Sequence, residues 1–226
     1  MSGVPEWLHT LLAAARDVPA EELSRFLPPA EGGRESAVLV LFGEGPDGPD
    51  LLFIEKSSEL RNHAGQPAFP GGGTAPDDDG PAATALREAV EETGLNPAGV
   101  DILLTLPALW LPPSGYVVTP VLAWWREPTA VTPADAEIAA VVRVPIAELA
   151  DPANRFRINH PSGWIGPAFE VRDLLVWGFT AGLVDRLLAL GGFERPWNRN
   201  DVRELPTEAV KLARRTRPAA DGGGLA

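Results

Sequence analysis

Apolar, β-rich runs that alternate with helical patterns constrain the fold of this 226-residue chain more than any other feature. The runs 36–42 and 51–55 flank the turn-forming segment GEGPDGPD, a pattern that predicts a β-hairpin. Further strands are predicted over 100–111, 116–125 and 138–144, with short irregular strands over 155–171. Apolar residues at helical spacing predict helices over 5–15, 20–26, 81–93 and 174–190. Strands interleaved with helices favour one mixed α/β domain.

The composition excludes several classes of function. The chain has no cysteine, which removes disulfides, thiolate nucleophiles, iron–sulfur clusters and cysteine-rich zinc sites. Its net charge of −12 argues against a broad basic face for nucleic acid or anionic membrane. The N-terminus has no basic segment, and its apolar stretch is broken by His9 and Thr10, so neither a signal peptide nor a membrane span is predicted. We therefore expect a cytoplasmic protein.

Three carboxylates crowd the end of the predicted helix 81–93. Glu88, Glu91 and Glu92 stand at i, i+3 and i+4, so all three project from one face. Like charges at these spacings repel by about 0.2–0.5 kcal/mol per pair, and the helix dipole disfavours anions near the C-terminus by roughly 0.3–1 kcal/mol each. A divalent cation would reverse both effects. The residues alone leave open a solvated acidic face in which Arg87 pairs with Glu91.

The helix boundaries carry their own signals. Pro81 suits the first helical turn, an aspartate just upstream can cap the N-terminus, and Gly94 suits the C-terminal cap.

The segment from Gly73 to Leu95, GTAPDDDGPAATALREAVEETGL, resembles the signature of the Nudix hydrolases. That signature is Gly, five residues, Glu, seven residues, Arg-Glu, an aliphatic residue, any residue, Glu-Glu, any residue, Gly and an aliphatic residue. Asp79 stands where the signature has its first Glu, and counting from Gly72 instead places Asp78 there. The resemblance implies a Nudix-type α/β/α sandwich with a mixed central sheet. It divides the chain into an N-terminal helical extension (1–33), a Nudix domain (34–192) and a partly disordered C-terminal tail (193–226).

The same resemblance implies that the helix binds Mg²⁺ or Mn²⁺ and that the enzyme cleaves a pyrophosphate. Carried over by position, the metal ligands are Glu88, Glu91, Glu92 and the backbone carbonyl of Gly72 or Gly73. Arg87 would orient these carboxylates, and Glu137, just before a predicted strand, would supply a further catalytic carboxylate. A solvated loop glutamate is the other interpretation of Glu137.

A second patch, LLFIEKSSELRNHAGQPAFPGG over residues 51–72, resembles the pattern found before the Nudix box in the coenzyme A pyrophosphatase branch. The predicted substrate-binding residues are Lys56, Ser57, Arg61, Gly65, Phe69, Gly71 and Gly72. Ile54 replaces the usual Thr, and Lys56 replaces an Arg, which keeps the charge but loses the bidentate fork. Lys56, Arg61 and His63 concentrate positive charge beside an acidic helix. Ordinary surface charge and a plain Phe-Pro-Gly-Gly turn would produce the same residues.

The expected substrate is a small nucleotide: coenzyme A or acyl-CoA, cleaved to 3′,5′-ADP and (acyl-)4′-phosphopantetheine. One alternative is another nucleoside-diphosphate-linked compound, such as a nucleotide sugar, a dinucleotide or a dNTP. Another is a Nudix-like binding module without hydrolysis, which the intact set of glutamates argues against. No nucleic acid or membrane partner is expected, and a homodimer is among the expected assemblies.

Overall fold

The computed structural model describes residues 3–57, 65–112, 114–207 and 209–210. The helices are α1 (Glu6–Ala15), α2 (Ala20–Leu23), α3 (Pro81–Thr93), α4 (Ile146–Leu149) and α5 (Gly178–Leu190). The first strands are β1 (Arg34–Gly45), β2 (Gly48–Lys56), β3 (Pro67–Ala68), β4 (Gly71–Gly73), β5 (Val100–Thr105) and β6 (Leu109–Leu111). The remaining strands are β7 (Tyr116–Trp125), β8 (Ile138–Pro145), β9 (Arg155–Asn159), β10 (Ile165–Val171), β11 (Leu174–Val176) and β12 (Val202–Glu204).

Within these ranges a mixed sheet of eight strands forms the centre of the molecule, in the order β3-β2-β1-β7-β5. Strand β4 pairs with β1, β6 with β7, and β8 with β2. Strands β1 and β7 run parallel, whereas β1 and β2 form the predicted antiparallel hairpin.

The two strands of this hairpin separate after four residue pairs. Strand β1 pairs with β2 only from Phe42 to Gly45, while its first half pairs with β4 from Ser36 to Val38. On the other side, the end of β2 pairs with β3. Residues 67–73 therefore form a wedge between β1 and β2, and this wedge brings three consecutive glycines into the middle of the sheet. Within the Phe-Pro-Gly-Gly sequence, Phe69 and Pro70 connect β3 to β4, and the two glycines pair with β1.

Both faces of the sheet are buried, which explains the continuous apolar runs in the sequence. In β1, Leu39 and Leu41 join a cluster with Ala85 and Ala89 of α3, whereas the intervening Val40 joins the core formed with α1 and α5. Side chains of one strand alternate between faces, so α3 lies on one face and α1 and α5 lie on the other. The predicted α/β/α sandwich with a mixed sheet is confirmed.

Three predicted elements were wrong in their extent. The helix predicted over 20–26 ends at Leu23, because Ser24 is already extended. The helix predicted over 174–190 begins only at Gly178, because Arg172 and Asp173 adopt left-handed backbone angles and turn the chain into strand β11. The long strand predicted over 100–111 is interrupted between β5 and β6, in a segment that contains Pro107, which has no N–H for a sheet ladder. The strands predicted as irregular over 155–171 form a regular antiparallel hairpin.

A second sheet of four strands, β11-β10-β9-β12, is completed by the described end of the chain, since β12 pairs in parallel with β9. Arg155 of β9 is buried and contacts Asp185 of α5, and one of its nitrogens lies 3.5 Å from Glu194. Its guanidinium carbon also lies 4.6 Å from the ring centroid of Trp197. This arginine therefore ties the segment after α5 to the body of the protein.

The tail predicted as partly disordered comprises residues 193–226, of which residues 208 and 211–226 lie outside the described residues. Among the helices described, none combines the length and apolar character that crossing a bilayer requires.

Candidate active site

Helix α3 begins and ends at glycines. Gly80 precedes it with φ of 82°, Pro81 occupies the first turn, and Gly94 closes it in the left-handed conformation with φ of 67°. The N-terminal cap makes no side-chain hydrogen bond to the helix backbone, so the prediction of a capping aspartate was wrong. The nearby Asp78 instead accepts hydrogen bonds from the backbone N–H of Ala75 and the hydroxyl of Thr84.

Arg87 connects the loop before α3 to the carboxylates on the helix. Its Nε and Nη2 bind the two oxygens of Asp78 at 2.9 and 3.0 Å, and Nη2 also donates to the carbonyl of Gly73 at 3.0 Å. Its Nη1 lies 2.9 Å from Glu88 and 3.1 Å from Glu91. The guanidinium thus has an acceptor on each side, the bidentate geometry that arginine favours.

Asp78, rather than Asp79, occupies the position that faces Arg87. The hydrogen bonds from Arg87 hold the pKa of Asp78 well below its usual range, and Asp78 in turn raises the pKa of Arg87. Asp79 is exposed. The sequence left the register open by one residue, and the contact with Arg87 favours Asp78 for this position.

Glu88 lies directly against Gly72 of the wedge. A Cβ atom on Gly72 would come within 2.4 Å of the Glu88 carboxylate, so any residue other than glycine would displace this carboxylate. The side chain of Glu88 is 18% exposed, and its bond to Arg87 orients it towards the loop. The structure therefore brings Gly72, whose carbonyl is a predicted metal ligand, beside Glu88, another predicted ligand.

Glu92 is the most buried of the three glutamates, with 7% of its surface exposed. The backbone N–H of Gly71 donates to its Oε2 at 2.9 Å, and Nζ of Lys56 lies 3.3 Å from its Oε1. Burial nevertheless raises its pKa, and the negative charge of Glu88 adds to the rise, against the opposing effects of Lys56 and Gly71. The two cations, Lys56 and Arg87, thus approach the glutamates from opposite sides.

Gly71 and Phe69 position the wedge. A Cβ atom on Gly71 would lie 2.3 Å from the carbonyl oxygen of Ala37, so this residue must be glycine for β4 to pair with β1. Phe69 is 2% exposed and stacks on Phe53 with ring centroids 5.0 Å apart. Its predicted contact with substrate is corrected to a packing role, because the buried ring offers no surface to a ligand.

The other predicted site residues that the structure describes lie around the end of β2; they are Lys56, Ser57, Gly65 and Glu137. The N–H of Ser57 donates to the carbonyl of Glu137 at 2.7 Å, and the N–H of Gly65 donates to the carbonyl of Lys56 at 2.8 Å. Glu137 is exposed at the start of β8, which pairs Ile138 with Lys56. Its backbone is therefore beside the site. The predicted substrate residue Arg61, and His63 with it, lie outside the described residues.

The donor chemistry of the cluster suits a hard divalent cation. Four carboxylates, on Asp78, Glu88, Glu91 and Glu92, share the two cations Arg87 and Lys56, which leaves an excess of two negative charges when all are ionised. All the donors are oxygens, the ligands that Mg²⁺ and Mn²⁺ prefer. In the described part of the chain no three acidic or imidazole side chains already converge as a metal-binding group.

Sequence reasoning missed Thr84. This residue is fully buried, and its hydroxyl donates to Asp78 at 2.9 Å, so it supports the carboxylate that holds Arg87. A polar residue facing the apolar stripe of α3, three positions before Arg87, is the signal that could have identified it.

Comparison with known proteins places these features in context. The NUDIX domain family matches residues 33–162. A curated relative from Cronobacter sakazakii, named uncharacterized Nudix hydrolase NudL, is 38% identical over 170 residues, which cover 72% of this chain and 85% of that protein. The protein of the same name from Escherichia coli K12 is 35% identical over 161 residues, covering 68% of this chain and 81% of that one.

Among solved structures, a Nudix hydrolase from M. smegmatis, RenU, matches 75% of this chain and 92% of its own, with 19% identity and a TM-score of 0.48.

Proposed function

The chain belongs to the Nudix hydrolase family, whose enzymes act on phosphoric anhydride bonds, and from this premise we propose that it is a metal-dependent pyrophosphatase of coenzyme A or acyl-CoA. Water adds across the P–O–P bridge: one new P–O bond forms to the water oxygen and one bridging P–O bond breaks. The products are 3′,5′-ADP and 4′-phosphopantetheine, or its acyl form. The observation that carries the proposal is the cluster of four carboxylates that Arg87 and Lys56 hold against the glycine wedge.

The catalytic part of the proposal assigns a task to each residue of this cluster. Glu88, Glu91 and Glu92, with the carbonyl of Gly72, are the proposed ligands of Mg²⁺ or Mn²⁺. Such an ion, when bound, offsets phosphate charge and lowers the pKa of a coordinated water. The contacts of Arg87 with Asp78, Glu88 and Glu91 support a positioning role, since both ends of the guanidinium are already occupied by carboxylates.

Substrate recognition is proposed for the patch between Lys56 and Gly72. Lys56 lies 3.3 Å from Glu92, so its ammonium is within the cluster and available to an anionic substrate once Glu92 has another partner. Because the chain carries a net charge of −12, a polyanion needs such local cations as well as the metal. Glu137, beside Ser57, is the proposed further carboxylate on the water side.

Arg61 is the proposed partner of the 3′-phosphate of coenzyme A, a dianion for which an arginine fork is suited. Arg61→Ala should therefore raise KM for coenzyme A more than for dephospho-coenzyme A, which lacks that phosphate. An equal change in KM for both substrates would remove Arg61 from this role.

The deciding experiment compares turnover of a panel of pyrophosphates with Mg²⁺ and with Mn²⁺, the products being identified by mass. The panel contains coenzyme A, acetyl-CoA, ADP-ribose, a nucleotide sugar, a dinucleotide polyphosphate and a dNTP. Water labelled with ¹⁸O reveals which phosphorus is attacked, because the label enters only one product. We expect kcat/KM to be highest for a coenzyme A species. Faster turnover of another compound would overturn the substrate and leave the pyrophosphatase activity standing, whereas no turnover of any compound would favour a binding module.

A further inference from the structure

An open cleft of about 510 Å³ borders Gly73, the last of the three wedge glycines. It is lined from β1, β7 and the loop after β4, and its lining includes Arg34, Glu35, Gly73, Thr74 and Tyr116. We infer that this cleft binds the adenine base of the substrate, with Arg34 and Tyr116 as the stacking pair. The inference rests on the proposed function, which supplies an adenine nucleotide as the substrate.

The cleft is directly connected to the carboxylate cluster through Gly73. The carbonyl of this residue accepts a hydrogen bond from Arg87 at 3.0 Å, and the next residue, Thr74, donates its N–H to the carbonyl of Glu35 at 3.0 Å. The loop residues that border the cleft therefore begin one position after Gly72, against which Glu88 lies. A nucleotide whose pyrophosphate is at the cluster can reach this cleft with its base.

Arg34 is held in place before any ligand arrives. Its guanidinium carbon lies 4.1 Å from the ring centroid of Tyr116, and its Nη2 donates to the carbonyl of Ser114 at 2.7 Å. The pairing follows from the fold, because Arg34 and Tyr116 are opposite each other at the start of the parallel strands β1 and β7. An arginine fixed in this way loses little conformational freedom on binding.

The charge of the cleft favours a base over a phosphate. The positive Arg34 is followed by Glu35, which is also exposed and is among the residues that line the cleft, so the local charge is close to balanced. A neutral, planar base can stack on the guanidinium from the side away from the phenol ring, which lies 4.1 Å behind it.

Tyr116 provides a direct probe, since the chain contains a single tyrosine. Full-length protein grown with 3-fluorotyrosine should give one ¹⁹F resonance. We expect 5′-AMP, added without metal, to shift this resonance in a saturable manner. Ribose 5-phosphate and 4′-phosphopantetheine, which lack the base, should leave it in place.

Four variants distinguish stacking from a nonspecific effect of positive charge, with binding of 5′-AMP measured by calorimetry. Arg34→Gln and Tyr116→Ala should each weaken binding about 10-fold or more, because either change removes half of the stacking pair. Tyr116→Phe, which keeps the ring, should bind as the unmodified protein does. Arg126→Gln is the charge-matched control, since Arg126 is an exposed arginine paired with Asp101 outside the cleft. Thermal melting of each variant checks that it is folded.

The inference is overturned if 5′-AMP leaves the ¹⁹F resonance unmoved, if 4′-phosphopantetheine shifts it instead, or if Arg34→Gln and Arg126→Gln bind equally. The proposed function fails separately, in the turnover panel. A protein that hydrolyses coenzyme A with an unchanged KM in Arg34→Gln keeps its function and loses this base site. A protein that binds 5′-AMP through Arg34 but hydrolyses a different adenine nucleotide keeps the base site and loses the coenzyme A assignment.

Discussion

Glu92 combines two opposing properties at a single residue. Its carboxylate is buried, which disfavours the charged form, yet the proposed role as a metal ligand requires that form. Lys56 and the N–H of Gly71 compensate for the burial only in part, so the pKa of Glu92 remains above its ordinary value of 4.5. The folded protein therefore binds a proton at Glu92 more tightly than the unfolded chain does. The charged form of this residue costs stability when no metal is present.

Replacing Glu92 with Gln should separate stability from activity. With metal, turnover should fall by about two orders of magnitude, because an amide is a poor ligand. In chelator at a pH of about 8, the variant should unfold at an equal or higher temperature than the unmodified protein. The raised pKa makes that advantage shrink as the pH is lowered through the folded-state pKa, since Glu92 then becomes neutral as well.

Glu91→Gln is the matched control, because the side chain of Glu91 is 55% exposed and therefore loses less of its hydration in the folded protein than Glu92 does. We expect Glu91→Gln to give no gain in unfolding temperature in chelator, because water already solvates its exposed carboxylate. A stability advantage of Glu92→Gln that grows as the pH falls would contradict this account of its burial.

The helix carboxylates could be predicted from the sequence, because the periodicity of one helix places them on the same face. Glu88, Glu91 and Glu92 share a face because they lie on one helix, and Arg87 precedes them by one position. The contacts of Glu92 with Lys56 and of Glu88 with Gly72 join segments that only the tertiary structure brings together. Local spacing contains no information about such distances, so these partners could be suspected only through the resemblance to a family.

At the scale of elements, the glycine wedge matters because its backbone lies very close to β1 and to Glu88 of α3. Gly71, Gly72 and Gly73 are consecutive in β4, yet an added Cβ would meet the β1 backbone, the Glu88 carboxylate and nearly open space, respectively. The hairpin between β1 and β2 was predictable from its turn residues. The separation of β1 and β2 by residues 67–73 was not predictable, because it depends on which strands can lie close to a backbone of glycines.

Alanine at each wedge glycine should give three different outcomes. Gly72→Ala should lower turnover roughly 100-fold with little loss of stability, because Glu88 must move by an ångström or more. Gly71→Ala should destabilise the fold by about 1–3 kcal/mol, since its Cβ would overlap backbone. Gly73→Ala, with its nearest atom 4.0 Å away, should leave both properties near those of the unmodified protein. Urea denaturation and turnover measured on all three test the series, and equal effects at Gly72 and Gly73 would contradict it.

The loop before α3 and the helix itself are joined by the bidentate contact between Asp78 and Arg87. Asp78→Asn should break this contact and loosen the carboxylates, weakening Mn²⁺ binding by roughly 10–100-fold. Asp79→Asn removes the same charge from the next residue, which is exposed, and should leave Mn²⁺ affinity unchanged. Calorimetric Mn²⁺ titrations of the two variants decide the register of the signature, and the reverse result would assign the position to Asp79.

Across the whole molecule, Arg155 joins the described C-terminal segment to the two-sheet body. Its side chain is 1% exposed and lies between Asp185 of α5 and Glu194, beside the ring of Trp197. Burial lowers the pKa of Arg155, and the two acids oppose that change. Removing Arg155 takes the ion-pair partner from Asp185, whose side chain is only 14% exposed, while Glu194 keeps Arg199 at 2.9 Å. Removing an exposed arginine leaves acids that water can solvate.

Arg155→Gln should lower the free energy of unfolding by about 3 kcal/mol and open residues 193–206 to limited proteolysis. Arg172→Gln is the matched control, because Arg172 also bridges two acids, Glu148 and Asp47, but is 40% exposed. Its loss should cost at most about 1 kcal/mol. Equal losses in the two variants, measured by urea denaturation, would show that burial does not distinguish them.

The end of β2 has one more consequence, for how such an enzyme can diversify. The N–H of Gly65 binds the carbonyl of Lys56, and the N–H of Ser57 binds the carbonyl of Glu137, so the backbone on both sides of residues 58–64 is anchored to the sheet. Between two fixed ends, each doubling of the length of the connecting segment costs only about 0.6 kcal/mol of closure free energy. Insertions and exchanges between 58 and 64 are therefore inexpensive for folding, and they occur next to Lys56 without altering the glutamates or the glycine wedge. Substrate preference can evolve, or be engineered by loop grafting, on an unchanged catalytic frame.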